Sequence, residues 1–318
     1  MIFFYDFEFN ILAVETNIIK SRWVIYYNDI GTFEAHLPIT SEITKILSEN
    51  NYVVVKQHGF SAVIVGFELK DELILYGRTC NWLFSKRILN SVSYDEYFAG
   101  EIAAEIAQNA FSDVANFSVG TVALGDKTNF SKEEDTAINM VSDCLAMSDL
   151  GHELRFNDKE KVWEFNVLEG RVNDLVLSEA HRNAYDTGVT FDILDLATSG
   201  RYEKKTDSGY VSTSIVGDED KTGIYRWEAK LLGSSEQEAR ADLLKHREKG
   251  EASLSVKDIL YGRDYRLGDV LRIQILKGAY RKTETKRAKG VEITTKQGVY
   301  SEKPIFEQTK ERKNDYGV

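Results

Sequence analysis

Residues Arg22 to Pro38 read RWVIYYNDIGTFEAHLP, and the fold is decided here. Trp23, Ile25 and Tyr27 alternate with Val24 and Tyr26, so nearly every position is β-branched or aromatic, as in a strand. Asn28, Asp29 and Gly31 follow, residue types that tolerate positive φ and form tight turns. Phe33, Ala35 and Leu37 then alternate with Thr32, Glu34 and His36, as a half-buried strand requires. Pro38 has no amide hydrogen to donate and ends the ladder. The spacing predicts two strands joined by a turn, then a short helix from Ser41 to Ser48 with Ile43, Ile46 and Leu47 on one face.

Working outward, the chain has 318 residues, 42% hydrophobic and 29% charged, the make-up of a globular protein of two or three domains. Only two prolines are present, so loops must turn on Gly, Asn and Asp. No apolar run reaches the roughly 18 residues needed to span a membrane. The N-terminal MIFFYDFEFN lacks a basic region and a small-residue cleavage site, and reads as an alternating strand, not a secretory signal. Cys80 and Cys144 are too few for a disulfide framework and read as two free buried thiols. The net charge of −11 argues against sequence-independent nucleic-acid binding, which needs a basic face. The charge is uneven. The segment from Lys277 onward is basic, either a solvated tail or a basic strand pair that docks on an acidic neighbour.

The expected architecture is α+β and mostly β: two small antiparallel β-barrel-like domains with an α/β insert between them. Residues 1–90 hold closely spaced strands with two-residue turns, the signature of a small barrel: Tyr52 to Gln57, Phe60 to Phe67 and Leu73 to Gly77 follow the opening pair. Asn81 to Leu89 is expected as a short helix. Over 91–180 the period changes. Ser93 with Glu96 and Ser131 with Glu134 form two capping boxes, opening helices that carry Ile102, Ile106 and Ala110, and Ala137, Met140, Val141, Cys144 and Leu145. Gly151 is expected to end the second helix. Glu153 to Phe156 pairs with Val162 to Leu168 across an Asn157-Asp158 turn. Over 181–318 a second barrel-like domain is expected, with strands Gly188 to Leu194, Gly209 to Val216, Gly223 to Leu232 and Ser253 to Leu260. It also holds a helix over 235–249, a turn at Leu267-Gly268-Asp269 feeding a strand from Val270, an exposed basic hairpin from Ala279 to Lys296, and a frayed tail from Glu307.

No catalytic, cofactor-binding or metal-ligating residue is assigned. The five histidines, His36, His58, His152, His181 and His246, lack metal-site spacing. His152-Glu153 begins a zinc-protease pattern, but Phe156 stands where the second histidine belongs. There is no nucleophile elbow, phosphate loop or dinucleotide fingerprint. Asp218-Glu219-Asp220 lacks the ligand ladder of a calcium loop and reads as a solvated turn. Nothing singles out a carboxylate pair for glycoside chemistry. Trp23, Trp82, Trp163 and Trp227 lie within apolar patterns and read as core, not as sugar platforms. Gly268-Asp269 reads as a tight turn whose carboxylate bonds nearby amides.

Several blocks carry a family resemblance. The strand ending in Tyr27-Asn28, the Gly31 turn, Phe33-Glu34 and Leu37-Pro38 before a small helix resemble the opening of the siphophage and prophage tail-hub family, the baseplate hub or N-terminal hub region of tail-associated lysin-type proteins. Leu75-Tyr76-Gly77-Arg78 with Leu83 and Arg87 resembles the family's strand, Gly-Arg and short-helix step. Ile224 to Glu228 resembles its Arg-x-Glu strand, and Tyr265 to Val270 the approach to its last barrel strand. The resemblance implies a non-enzymatic virion component: a homotrimeric ring with two similar barrels per chain, closing a sixfold tail tube and adapting it to a threefold tip. The implied partners are other copies of the chain, a distal tail or tail tube protein, a tape-measure protein and a separate tip, fibre or lysin protein. Genomic DNA would pass through a lumen lined partly by negative charge without specific binding. Relatives often continue into a peptidase or fibre region, whereas this sequence stops at Val318, so another chain is expected to carry that activity. The implied location is the virion tail tip, after assembly in the host cytoplasm, in a siphophage, contractile or bacteriocin-like particle. The competing reading is a carbohydrate- or receptor-binding β protein of the tail tip. A peptidoglycan hydrolase would need a nucleophile or zinc pattern that the sequence lacks.

Overall fold

The structure, a computed structural model, describes residues 1–39, 41–205, 211–217, 220–231, 235–243, 246, 249–296 and 298–308. The chain forms two compact units, Met1–Asp186 with Leu254–Val318, and Thr187–Ser253. The strands of the opening segment are β1 (Ile2–Asp6), β2 (Ile11–Glu15), β3 (Lys20–Tyr26), β4 (Thr32–Leu37), β5 (Val53–Gln57), β6 (Phe60–Leu69) and β7 (Leu73–Thr79), with helix α1 (Ser41–Glu49) between β4 and β5. A 3-10 turn, Cys80–Lys86, leads to β8 (Ile88–Leu89), β9 (Val92–Phe98), α2 (Ala99–Ala110), β10 (Phe117–Val122), β11 (Lys127–Lys132), β12 (Asp135–Thr136) and α3 (Ala137–Ala146). Then come β13 (Leu150–Asn157), β14 (Val162–Glu169) and β15 (Val172–Ser178). The smaller unit contains β17 (Ser199–Lys205), β18 (Val211–Gly217), β19 (Glu228–Lys230) and α4 (Glu236–Leu243). The chain enters and leaves that unit in β16 (Ala184–Asp192) and β20 (Lys249–Val256), which pair with each other. Strands β21 (Val270–Lys277), β22 (Tyr280–Lys296) and β23 (Val299–Gln308) complete the larger one.

The opening stretch folds as its pattern predicts. β3 and β4 pair antiparallel with Trp23 opposite Phe33, and Phe33, Ala35 and Leu37 are buried. The turn between them does not use positive φ at Asn28, Asp29 or Gly31. Gly31 serves a close approach instead, since a Cβ there would lie 2.2 Å from the Val24 carbonyl oxygen. Trp23 is fully buried and stays satisfied because its Nε1–H donates to Gln57 Oε1 at 2.9 Å.

These strands belong to one sheet of eleven, in the order β15-β21-β22-β3-β4-β7-β6-β5-β1-β2, with β23 on β22. The mostly-β α+β class is as expected, but among the described residues no sheet closes into a barrel. The reason lies in β22. It pairs with β21 from Tyr280 to Arg287 and then with β3 from Gly290 to Lys296, so the free side of β3 is taken by a strand from the far end of the chain. The segment expected as an exposed hairpin is thus one long strand, with Val291 and Ile293 in the core beside Trp23. As a result, segments 1–90 and 270–308, expected in separate domains, share one sheet. The inner side of that sheet buries Ile2, Phe4, Trp23, Phe33, Leu37, Leu73 and Leu75 together with Ile43 and Leu47 of α1. At about 1.5–3 kcal/mol for each large apolar side chain buried, this cluster outweighs any local propensity.

The expected α/β insert exists as α2 and α3 on the three-stranded sheet β10-β14-β13, with β10 parallel to β14. It does not stand apart, because Tyr5, Phe9 and Val54 complete its core. Tyr5 OH also donates to Asp158 Oδ2 at 3.0 Å, and Lys56 pairs with the same carboxylate. Both expected capping boxes fail for one reason. Ser93 lies in β9 and Ser131 in β11, and the two serines are cross-strand partners. The helices start later, at Ala99 and Ala137, without side-chain caps. Gly151 does not end α3 but lies within β13, where a Cβ would come within 2.2 Å of the Tyr27 carbonyl. The short helix at 81–89 is the 3-10 turn, with Phe84 buried.

In the smaller unit, β17 pairs antiparallel with β18 and parallel with β19, and Tyr202, Val216, Leu231 and Ala239 form its core. The strand expected over 223–232 is a 3-10 turn, Gly223–Tyr225, followed by the short β19. Of the helix expected over 235–249, Glu236–Leu243 is helical and Lys249 begins β20, while residues 244–245 and 247–248 lie outside the described residues. Asp218 and Glu219 of the acidic turn, and the tail beyond Gln308, lie outside the described residues.

Candidate assembly surfaces

The chemistry-bearing residues are scattered. His36 sits on the outer sheet surface with Nε2 3.0 Å from Glu34 and Nδ1 2.8 Å from Glu72. It belongs to a ladder of charges in which Arg22 meets Glu292 at 2.7 Å and Lys20 meets Glu34 at 3.2 Å. Burial alone would raise the Glu34 carboxyl, but hydrogen bonds from His36 and Lys20 hold it below its ordinary value. His58 occupies a turn with positive φ near Thr295 and Tyr300. His181 lies in the turn after β15, where its N–H donates to Ser178 Oγ at 3.1 Å. His246 lies in the smaller unit, where its carbonyl accepts from Ala197. His152 is fully buried, with Nε2 3.3 Å from Ser142 Oγ and Nδ1 without a partner. Desolvation lowers its pKa to about 4, so its ring is neutral. Cys80 and Cys144 are free and buried, and burial pushes both thiols up to about 12, far from nucleophile chemistry. Among the described residues, no group of three or more His, Cys, Asp or Glu is placed to hold a metal ion. No helix among them is long and apolar enough to cross a membrane.

Asp269 does what its turn predicts. Its Oδ1 accepts from Arg171 N–H at 3.1 Å, and its Oδ2 from Arg266 N–H at 3.0 Å and Asn173 Nδ2 at 3.3 Å. Gly268 carries φ +89°, which a glycine adopts at no steric cost. Sequence reasoning missed Tyr27 as the tie between elements. Its hydroxyl lies 2.8 Å from the Leu168 carbonyl and 3.2 Å from that of Asp149, and accepts from Gly170 N–H at 3.0 Å. Gly151 and Gly268 leave room for its ring, since a Cβ on either would stand within 2.4 Å of it. The glycines were the available signal.

Of the four tryptophans, Trp23 and Trp163 are core. Trp82 is half-buried with Lys86 Nζ 4.5 Å above its ring. Trp227 departs from the core expectation: it is 42% exposed, beside Ile224 at 85% and Tyr225 at 72%. Within the turn, Trp227 Nε1 donates to the Ile224 carbonyl at 2.9 Å and Trp227 N–H to Thr198 Oγ1 at 3.0 Å.

No family model and no curated protein matches the sequence. Solved structures do match over nearly the whole chain. A 43 kDa tail protein of prophage MuSo2 from Shewanella oneidensis aligns with TM-score 0.62 and 10% identity, covering 96% of this chain and 98% of that one. The tail protein from Neisseria meningitidis MC58 aligns with TM-score 0.59 and 11% identity, covering 96% of each. Prophage tail protein gp18 from Listeria monocytogenes EGD-e aligns with TM-score 0.59 and 10% identity, covering 98% and 95%. The chain therefore has a phage tail-protein fold, in agreement with the resemblance in its sequence blocks.

Proposed function

We propose that the chain is a structural tail protein of a phage, prophage or phage-like particle. Within the tail it acts as the hub, a trimeric ring that closes the sixfold tube and adapts it to a threefold tip. The observation that carries this reading is the match, over nearly the whole chain, to three solved tail proteins, two of them from prophages. Neighbours in the particle are a distal tail or tube protein, a tape-measure protein and a tip, fibre or lysin chain, with DNA passing through the lumen. A ring of this kind needs extensive interfaces, about 2,000 Å² or more each. The test is the mass of the purified protein across a concentration series, with particle images. Closed three-membered rings support the reading. A monomer that ignores tube and tape-measure proteins overturns it.

One observation favours the alternative of a receptor- or glycan-binding tip protein: the exposed Ile224, Tyr225 and Trp227. Against it, the neighbouring Glu228 is tied to Arg226 at 2.7 Å and to Arg201 at 3.1 Å, so it does not present a free carboxylate to a sugar. Loss of cell-wall glycan binding in Trp227→Ala would favour this alternative.

A further inference from the structure

Two surfaces of the larger unit carry opposite charge. Residues 91–149 contain 11 acidic and 2 basic side chains, and residues 270–289 contain 7 basic and 1 acidic. The fold gathers much of the acidic set around the β9–β11 pair and the start of α2. Ala99 N–H donates to the Asp126 carbonyl, Gly100 N–H to that of Leu124, and Glu96 N–H to Asn129 Oδ1, which draws Asp95, Glu96, Glu101 and Asp126 together. All four are exposed, and none is in an ion pair among the described residues. Among them stand large apolar side chains open to solvent: Tyr97 at 53%, Leu124 at 47% and Met147 at 41%, with Met147 Sδ against Thr128. Aromatic residues and methionine are enriched where proteins meet proteins.

The basic set lies on the β21–β22 hairpin. The pair runs from Val270 opposite Arg287 to Lys277 opposite Tyr280, and turns at Gly278 with φ +57°. Near its base, Arg287 pairs with Asp149 at 3.2 Å and Lys286 with Glu284 at 3.0 Å. Lys277 pairs with Glu179 at 2.8 Å. Arg281 and Lys282 remain exposed and form no ion pair among the described residues, Lys282 acting on Glu284 only through its charge, and Leu276, directly opposite Arg281, is 41% exposed. The tip is thus apolar and cationic where the β9–β11 surface is apolar and anionic.

We infer that the β21–β22 tip of one copy seats on the β9–β11 surface of the next, with Arg281 and Lys282 against Asp95, Glu96, Glu101 and Asp126, and Leu276 against Tyr97 and Met147. The partner is a second copy of this chain, because the complement in charge and composition is on the chain itself. The two patches are different surfaces, so the contact is head-to-tail. Each added copy leaves one patch free at either end until the ring closes. The inference rests on the ring reading given above and supplies its contact surface.

The experiment is sedimentation of the full chain at low and high salt for wild type, Arg281→Glu/Lys282→Glu, Glu96→Lys/Glu101→Lys and the chain carrying all four changes. These sites are exposed, and circular dichroism checks that each variant folds. Wild type is expected to assemble and to weaken as salt rises. Each charge reversal is expected to weaken assembly by about tenfold or more, and the fourfold swap to recover it. Rings that form equally well in every variant overturn this contact and leave the tail reading standing. A wild-type monomer at all concentrations that also ignores tube and tape-measure proteins overturns both.

Discussion

His152 makes the stability of the larger unit depend on pH, and a variant at that one position isolates its share from that of the neighbouring Glu153, whose carboxyl pKa is raised by burial. The His152 ring lies in the core, 6.2 Å from the Phe165 ring and 6.4 Å from that of Phe84, and it is pinned through its backbone, whose N–H donates to the Tyr27 carbonyl at 2.8 Å. Desolvation lowers its pKa from 6.5 to about 4. Above pH 6.5 the ring is neutral in folded and unfolded chains alike and contributes nothing to the slope. Between pH 6.5 and 4 the unfolded chain takes up a proton that the folded chain refuses, so stability falls with pH. Below 4 the folded ring also protonates and the loss levels off. At 1.36 kcal/mol per pKa unit, the loss is about 2 kcal/mol between pH 8 and 5, approaching about 3 kcal/mol by pH 4. The perturbation is His152→Gln, which keeps a polar group near Ser142 but cannot titrate. Urea unfolding followed by tryptophan fluorescence at pH 8, 6.5 and 5 is the assay, since Trp23 and Trp163 are both buried in this unit. Wild type should lose about 2 kcal/mol more than the variant over that range, although the variant starts less stable. His58, lowered by burial and by the N-terminal charge, is present in both proteins and cancels in the difference. Parallel pH profiles for the two would refute the reasoning.

Three substitutions probe the ties described above. Tyr27→Phe leaves Gly170 N–H without its side-chain acceptor and Leu168 without its donor, and should cost about 1–3 kcal/mol in urea unfolding. Asp269→Ala strands two backbone amides, of Arg171 and Arg266, and should cost about 2 kcal/mol or more, with faster amide exchange at both positions. Ser93→Ala should change stability by less than about 0.5 kcal/mol, because Ser93 lies in a strand pair and caps no helix. A loss above about 1 kcal/mol, the size of a lost cap, would mean that it does.

The sequence was legible wherever a pattern was local. The alternation in β3 and β4, the β13–β14 hairpin and the Asp269 turn are all encoded in short local stretches, and all appear as read. The failures share a cause. Ser-x-x-Glu at 93–96 and 131–134 satisfies the local rule for a helix start, yet pairing of β9 with β11 claims both serines for a sheet. Gly151 looks like a helix stop because nothing nearby in sequence shows that Tyr27, more than a hundred residues earlier, packs against it. Trp227 looked like core because its neighbours are apolar, but Ile224 and Tyr225 are exposed as well. On the assembly surface, the charge asymmetry was visible in composition. Its gathering around β9, β11 and α2 was not, since two backbone hydrogen bonds and one from Glu96 N–H to the Asn129 side chain bring those segments together.

The long strand β22 shows why two barrels were expected and one shared sheet is found. Read alone, Tyr280–Lys296 is a run of Thr, Lys and Arg that belongs on a surface, and its first half does hold the cationic tip. Its second half changes character at Gly290, where the ladder shifts register and a Cβ would meet the Tyr26 ring at 2.9 Å. From there Val291 and Ile293 turn inward against Trp23, while Glu292 turns outward to Arg22. One strand therefore completes the core and, some ten residues earlier, presents Arg281 and Lys282 to solvent. Because β3 pairs with a strand more than 260 residues away, this ladder is among the most non-local in the chain, and no local pattern could have announced it.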